Sequence, residues 1–283
     1  MKKKLLVIGI NGMAGHIAFQ YLLNKQKYQV YGIARNIKIT ENTFNLDVSD
    51  TVELNKIVND HQFDYIINCI GILNHDAESN PSKAIWFNSY FPHFLEEITK
   101  GSKSKVIHIS TDCVFNGKQG NYSETAIKNG EGFYAQSKAL GEIHNSKDLT
   151  IRTSIIGPEI NTKGIGLFNW FMHQAGEING YSNAVWSGVT TLELAKAIEY
   201  AILNPLNGLV HLTNGVPLNK FDLLNLFKEV WDKKDIKINA YEGKVVDKSL
   251  KKSEGFNYQV PSYKKMLVDQ YNWMQKFANL YEY

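Results

Sequence analysis

Lys4-Leu5-Leu6-Val7-Ile8-Gly9-Ile10-Asn11-Gly12-Met13-Ala14-Gly15 opens the chain with an apolar run that ends in glycines. Its apolar run is too short for a membrane span and passes straight into a turn holding three glycines, so it reads as a buried first strand and not as a signal segment. A helical pattern, His16 to Lys25, follows the turn. Strand, glycine turn and helix in this order can hold an anion. Glycines let the backbone turn tightly and approach a pyrophosphate, whose charge is favoured by the free N–H groups and dipole of the helix start. Gly9, Asn11, Gly12, Met13 and Gly15 are the candidate contacts. Glycines can also simply punctuate a turn, but the order of the flanking elements favours dinucleotide binding.

Short β-branched runs then alternate with helical patterns. Gln29 to Ala34, a segment near Phe44, Tyr65 to Cys69, Lys105 to Ser110 and Leu149 to Arg152 lack strict polar alternation, as strands covered on both faces do. Asp50 and Glu53 form a capping-box pattern opening a helix to Asp60, and Pro81 stands where a long helix towards Lys100 can begin. The order predicts an α/β fold, a Rossmann-type doubly wound parallel sheet with a smaller, partly interleaved C-terminal substrate lobe. Residues 1–157 are expected to form the nucleotide-binding domain and 158–283 the lobe, with helices near Leu167 to His173, Thr191 to Leu203, Lys220 to Trp231 and Ser262 to Phe277. A β-like return near 208–213 would interleave the two. Phe168, Trp170 and Phe171 lie at spacings that read as core.

The chain has 283 residues, 43% hydrophobic and 21% charged, with a net charge of +3. It shows neither a bilayer-length apolar run nor a basic stripe interleaved with aromatics, so neither a membrane nor a nucleic-acid partner is expected. Two cysteines, Cys69 and Cys113, are too few for a disulfide framework and fit a reducing cytoplasm. The eight histidines include no closely spaced pair of metal-ligand character, so no metal site is expected. Oligomeric state is not legible, which leaves a homodimer open.

The second strand ends Gly32-Ile33-Ala34-Arg35, without the carboxylate that takes a ribose 2'-hydroxyl. Arg35 points instead to a 2'-phosphate and to NADP(H), with NAD(H) as the alternative; a solvated loop arginine is the bland reading.

Chemistry is suggested by Phe133-Tyr134-Ala135-Gln136-Ser137-Lys138, where Tyr134 and Lys138 share one helical face. An adjacent ammonium favours the phenolate, and lowering a phenol's pKa by about three units needs roughly 4 kcal/mol. Such a pair is also ordinary on an amphipathic helix. What changes the odds is Ile107-His108-Ile109-Ser110-Thr111-Asp112, a strand ending in hydroxyls before a long polar loop, because a hydroxyl there can hydrogen-bond a substrate carbonyl.

The glycine turn, the Tyr134–Lys138 pair and the longer run Ser110-Thr111-Asp112-Cys113-Val114-Phe115-Asn116-Gly117 with Tyr122 and Glu124 resemble the extended short-chain dehydrogenases, and among them the dTDP-4-dehydrorhamnose reductase family. The resemblance implies a reductase of a nucleotide-linked 4-keto-6-deoxysugar, used in cell-surface polysaccharide synthesis. It makes Tyr134 the proton donor, Lys138 the group that lowers its pKa and holds the nicotinamide ribose, and Thr111 the hydroxyl that orients the carbonyl. It adds Asp47 and Val48 near the adenine, Asn88 beside a proton-relay water, and Cys69, Gly71, Ser110 and Thr153 along the cofactor. Asp112 and Val114 would face the sugar nucleotide, and Trp186 either offers it an aromatic surface or packs in the lobe's interior.

Ala135 stands where the family has Gly, and Asp247-Lys248-Ser249-Leu250 lacks the Arg and Pro of the family's Arg-Pro-x-x-Ser-x-Leu stretch in the substrate lobe, which makes an N-acetylated 6-deoxy sugar the alternative to the rhamnose precursor. Cys113 in place of a glutamate argues against a dehydratase. A 4-epimerase, or a regulatory subunit that binds NADP without turnover, are the alternatives.

Overall fold

Gly9 takes a φ of +91°, which ends the first strand at Ile8, two residues before the apolar run stops. The computed structural model describes residues 2–283. Seven strands form its main sheet: β1 (Lys4–Ile8), β2 (Gln29–Ala34), β3 (Thr43–Asn45), β4 (Tyr65–Asn68), β5 (Lys105–Thr111), β6 (Leu149–Thr153) and β7 (Gly208–His211), in the order β7-β6-β5-β4-β1-β2-β3. Strand β1 pairs in parallel with β2 and with β4, and the pairs β2–β3 and β4–β5 are parallel too. This is the doubly wound order, whose direction reverses between β1 and β4. In such sheets a crevice opens at the carboxyl ends of the strands where the order reverses.

Helices α1 (Met13–Asn24), α2 (Thr51–His61), α3 (Asn74–Ser79), α4 (Pro81–Ala84), α5 (Phe91–Ile98) and α6 (Gly132–Leu140) follow in chain order. Asp50 caps α2 by accepting the Glu53 N–H at 3.0 Å. The single helix expected after Pro81 is instead broken, because Ile85–Tyr90 winds as a π-turn between α4 and α5. A π-turn inserts an extra residue into the ladder, and here it carries the buried Asn88. Leu6, Ile8, Ile33, Leu54, Ile66, Phe91, Leu95 and Val106 form one continuous core, each such side chain contributing roughly 1.5–3 kcal/mol on burial.

The chain forms two compact units. The first comprises the chain up to Ser110 with Glu131–Ile151 and Ala195–Val210; the second comprises Thr111–Gly130, Arg152–Leu194 and His211–Tyr283. The division differs from a boundary at 157: the loop 111–130 belongs to the second unit. Backbone hydrogen bonds explain this, since Asp247 donates to the Gly117 carbonyl (2.7 Å), Tyr122 to Ser249 (2.9 Å) and Lys251 to Tyr122 (2.8 Å). The second unit adds α7 (Leu167–Met172), α8 (Thr191–Leu203, shared with the first unit), α9 (Lys220–Val230) and α10 (Tyr263–Lys276). Phe168 packs on Phe227 and Trp231 at centroid distances of 5.4 and 4.6 Å, whereas Trp170, read as core, is 40% exposed.

Candidate functional site

A cleft of about 400 Å³ in the first unit opens at the carboxyl ends of β1, β2, β3 and β4. Gly9, Asn11, Gly12, Arg35, Asp47, Val48, Cys69 and Gly71 line it, all expected from the sequence, joined by Lys83 and Phe87, which were not. Gly12 precedes α1 without any side-chain cap and no acidic residue follows in the first turn, so the helix start keeps N–H groups for an anion. Gly15 serves packing: a Cβ there would stand 2.1 Å from the Gly9 carbonyl oxygen, so only glycine lets α1 close on the turn. Met13 opens α1 and does not line the cleft.

At the cleft's outer end Asn11 donates to the Arg35 carbonyl (3.1 Å), and the Arg35 guanidinium donates to Asp47 at 3.2 Å. The Ser49 N–H, the Ser49 hydroxyl and Arg35 together hold the Asp47 carboxyl below its usual range. Both partners are largely exposed, so the pair itself adds little stability and leaves the guanidinium available to a stronger anion.

Helix α6 places Tyr134, half-buried, one turn before the buried Lys138. Its start is fixed from α3: the Glu78 carboxylate accepts the Phe133 and Tyr134 N–H groups at 3.1 and 3.0 Å. Gly132 at φ +84° makes room, since a Cβ there would meet Glu78 at 2.7 Å. No local pattern points to Glu78, because its partners lie more than fifty residues further along the chain.

Lys138 Nζ donates to the Ile109 carbonyl at 2.7 Å and lies 3.3 Å from His108 Nε2. Burial pushes the ammonium down to about 8, with Glu142 and Cys69 acting in the opposite sense. Cys69 ties this group to the cleft it lines; burial pushes its thiol up to about 12. Ser110 does not line the cleft: its hydroxyl donates to Glu142 at 2.7 Å, and both are buried. Asn88 is fully buried as a clamp. Its amide accepts the Ile72 N–H (2.8 Å) and donates to the Ile72 carbonyl (2.9 Å) and the Ser137 hydroxyl (3.1 Å), tying the cleft loop to α6. Its carbonyl lies against Gly141, where a Cβ would stand at 1.8 Å.

In the second unit Thr111 accepts the Cys113 N–H and donates to Asp112, both at 3.1 Å. Burial raises the Asp112 pKa, while Lys248 and Lys220 pull it down. Lys220 Nζ sits 4.8 Å from the centre of the Trp186 ring, and burial lowers its pKa to about 8. Trp186 is buried and packs on Tyr263. Val114 has no exposed surface, and the Thr153 hydroxyl donates to the Leu212 carbonyl at 2.8 Å, so both side chains serve the interior of this unit. The unit is also held by a buried network: Arg152 donates to His211 (2.8 Å), lies 5.0 Å from the Phe115 ring centre, and Ser253 bonds Glu124. Among the described residues no group of three or more His, Cys, Asp or Glu is placed to hold a metal, and no helix is long and apolar enough to cross a membrane.

Sheet order and glycine-turn cleft together place the chain in the doubly wound α/β class, in which a cleft at this position is where ligands bind. Residues 3–254 match the RmlD substrate binding domain, and the chain belongs to that family. A dTDP-4-dehydrorhamnose reductase of Aggregatibacter actinomycetemcomitans is 29% identical over 157 residues, 53% of this chain and 51% of the relative. A probable low-salt glycan biosynthesis reductase of Haloferax volcanii is 29% identical over 150 residues, 50% of this chain and 48% of the relative. The chain thus spans about half the length of these curated relatives. The solved dTDP-4-dehydrorhamnose reductase of Bacillus anthracis, in complex with NADP, superposes with a TM-score of 0.80 at 21% identity, covering 96% of this chain and 99% of that one, a likeness of fold.

Proposed function

We propose that the protein is an NADPH-dependent reductase of a nucleotide-linked 4-keto-6-deoxysugar, acting in the cytoplasm in the synthesis of surface polysaccharide. The observation that carries this reading is the buried Lys138 one turn after Tyr134, near enough to the cleft residue Cys69 for the titrations of the two groups to influence each other. The cleft fits NADP(H): the glycine cradle closes only without side chains, and Arg35 at its outer end suits a 2'-phosphate. The names of the relatives, reductases of nucleotide-linked deoxysugars and of glycan synthesis, point the same way.

NADPH, when bound, supplies a hydride to the keto carbon. Tyr134 donates its phenolic proton to the carbonyl oxygen as charge develops there. The Lys138 ammonium favours the phenolate, so the proton leaves more readily near neutral pH. Ser110 is engaged by Glu142, which leaves Thr111 to orient the carbonyl by turning its hydroxyl away from Asp112. Lys220 and Lys248 supply positive charge for a sugar diphosphate. Incubation with NADPH or NADH and a panel of dTDP-, UDP- and GDP-linked 4-keto-6-deoxysugars tests the reading. Loss of reduced-cofactor absorbance with one sugar supports it; tight cofactor binding with no turnover across the panel would replace it with a regulatory binding protein.

A further inference from the structure

Asn68 and His108 are register partners on β4 and β5, which puts both side chains on one face of the sheet, and both are wholly buried. The Asn68 amide lies 3.2 Å from His108 Nδ1, and His108 Nε2 lies 3.3 Å from Lys138 Nζ. Asn68 Oδ1 accepts the Ile70 N–H at 3.1 Å, which orients the amide so that its NH2 group faces the imidazole. An NH2 group can only donate, so Nδ1 must be the bare, accepting nitrogen. The proton of the neutral ring then sits on Nε2, aimed at Lys138. An N–H aimed at an ammonium sets donor against donor; aimed at a neutral amine it meets a lone pair.

We propose, on the reading that Lys138 serves Tyr134, that His108 is a positioning residue whose tautomer follows and sets the charge of Lys138. With Lys138 neutral, Nε2–H donates to Nζ. When Nζ takes up a proton, the ring gives up its Nε2 proton, gains one on Nδ1 and stays neutral, so the site binds one proton in all. Asn68 must then turn its carbonyl to the ring, releasing the N–H of Ile70, a residue of the cleft wall. The charge of Lys138 is thereby felt where the cofactor would lie. The titratable groups acting on this chain are Cys69 beyond β4, Glu142 beyond α6 and His93 on α5. Burial and the Lys138 charge keep the imidazole neutral throughout.

Ring-nitrogen NMR of the cofactor-free protein tests this without any substrate, so it stands or fails separately from the proposed activity. A His108→Gln spectrum identifies the His108 signals among the eight histidines. The expected result is a bare Nδ1 and protonated Nε2 at alkaline pH, giving way to the Nδ1–H form as pH falls through about 8, where Lys138 titrates. A tautomer that is the same from roughly pH 6.5 to 9.5, well either side of that value, overturns the proposal. His108→Gln also offers Lys138 a carbonyl, so the alkaline limb of turnover should rise by about one pH unit, a ten-fold gain in proton affinity. A limb that does not move counts against it equally.

Discussion

The Glu78 carboxylate accepts the Tyr134 backbone N–H at 3.0 Å, although 56 residues separate the two. Helix α6 has no side-chain cap from its own N-cap residue, Glu131, so Glu78 satisfies two of its free donors and sets the position of its first turn. Glu78→Ala should therefore lower kcat/KM about ten-fold, given that a 1 Å misplacement can cost roughly a hundred-fold. Glu78→Gln, which keeps an acceptor, should lose less. Equal activity of both variants and wild type would remove Glu78 from the account.

Arg35 and Asp47 meet at the outer end of the cleft, where Arg35 would take the cofactor's 2'-phosphate. Arg35→Ala should weaken NADPH binding about ten- to a hundred-fold, the value of one lost charge-assisted hydrogen bond, while NADH binding changes little. Titration of both nucleotides by calorimetry checks this; an equal loss for both would make Arg35 a loop residue.

Lys138 sets a pH limit. Its ammonium is present below about pH 8 and lost above it, because burial has pushed its pKa down from the ordinary lysine value. The charge that favours the Tyr134 phenolate disappears on the alkaline side, so kcat should fall as pH rises through about 8. Lys138→Met should lose at least a hundred-fold at every pH and show no such limb. An activity still rising at pH 10 in the wild type would contradict the assignment.

Lys220 lies over Trp186, with Asp112 and Cys113 among its electrostatic neighbours. If it meets the diphosphate of the substrate, Lys220→Met should raise KM for the sugar nucleotide about ten-fold and leave kcat within two-fold, since a contact equal in ground and transition states acts on binding alone. A fall in kcat with unchanged KM would move Lys220 out of the binding role.

Much of the first unit was legible because its signals are local. A strand of covered type, a glycine turn and a capping pair each lie within a dozen residues, and Gln29–Ala34 and Thr191–Leu203 fall where periodicity put them. The cleft residues Gly9, Gly12, Arg35 and Asp47 were readable for the same reason. Less legible were features made by distant partners: Glu78 on α6, the loop 111–130 joined to residues 246–251, and the π-turn that aims Asn88 inward. Val114 and Thr153 were read as site residues along with their motif neighbours, and both side chains are buried.

The most direct test compares wild type with Tyr134→Phe, measuring NADPH oxidation with the sugar that the panel selects and, in parallel, the NADPH dissociation constant. Turnover should fall by about 10²–10⁴-fold, the range for a lost general acid, while NADPH affinity stays within about three-fold. A Tyr134→Phe protein that turns over at the wild-type rate would contradict the role of Tyr134 as proton donor.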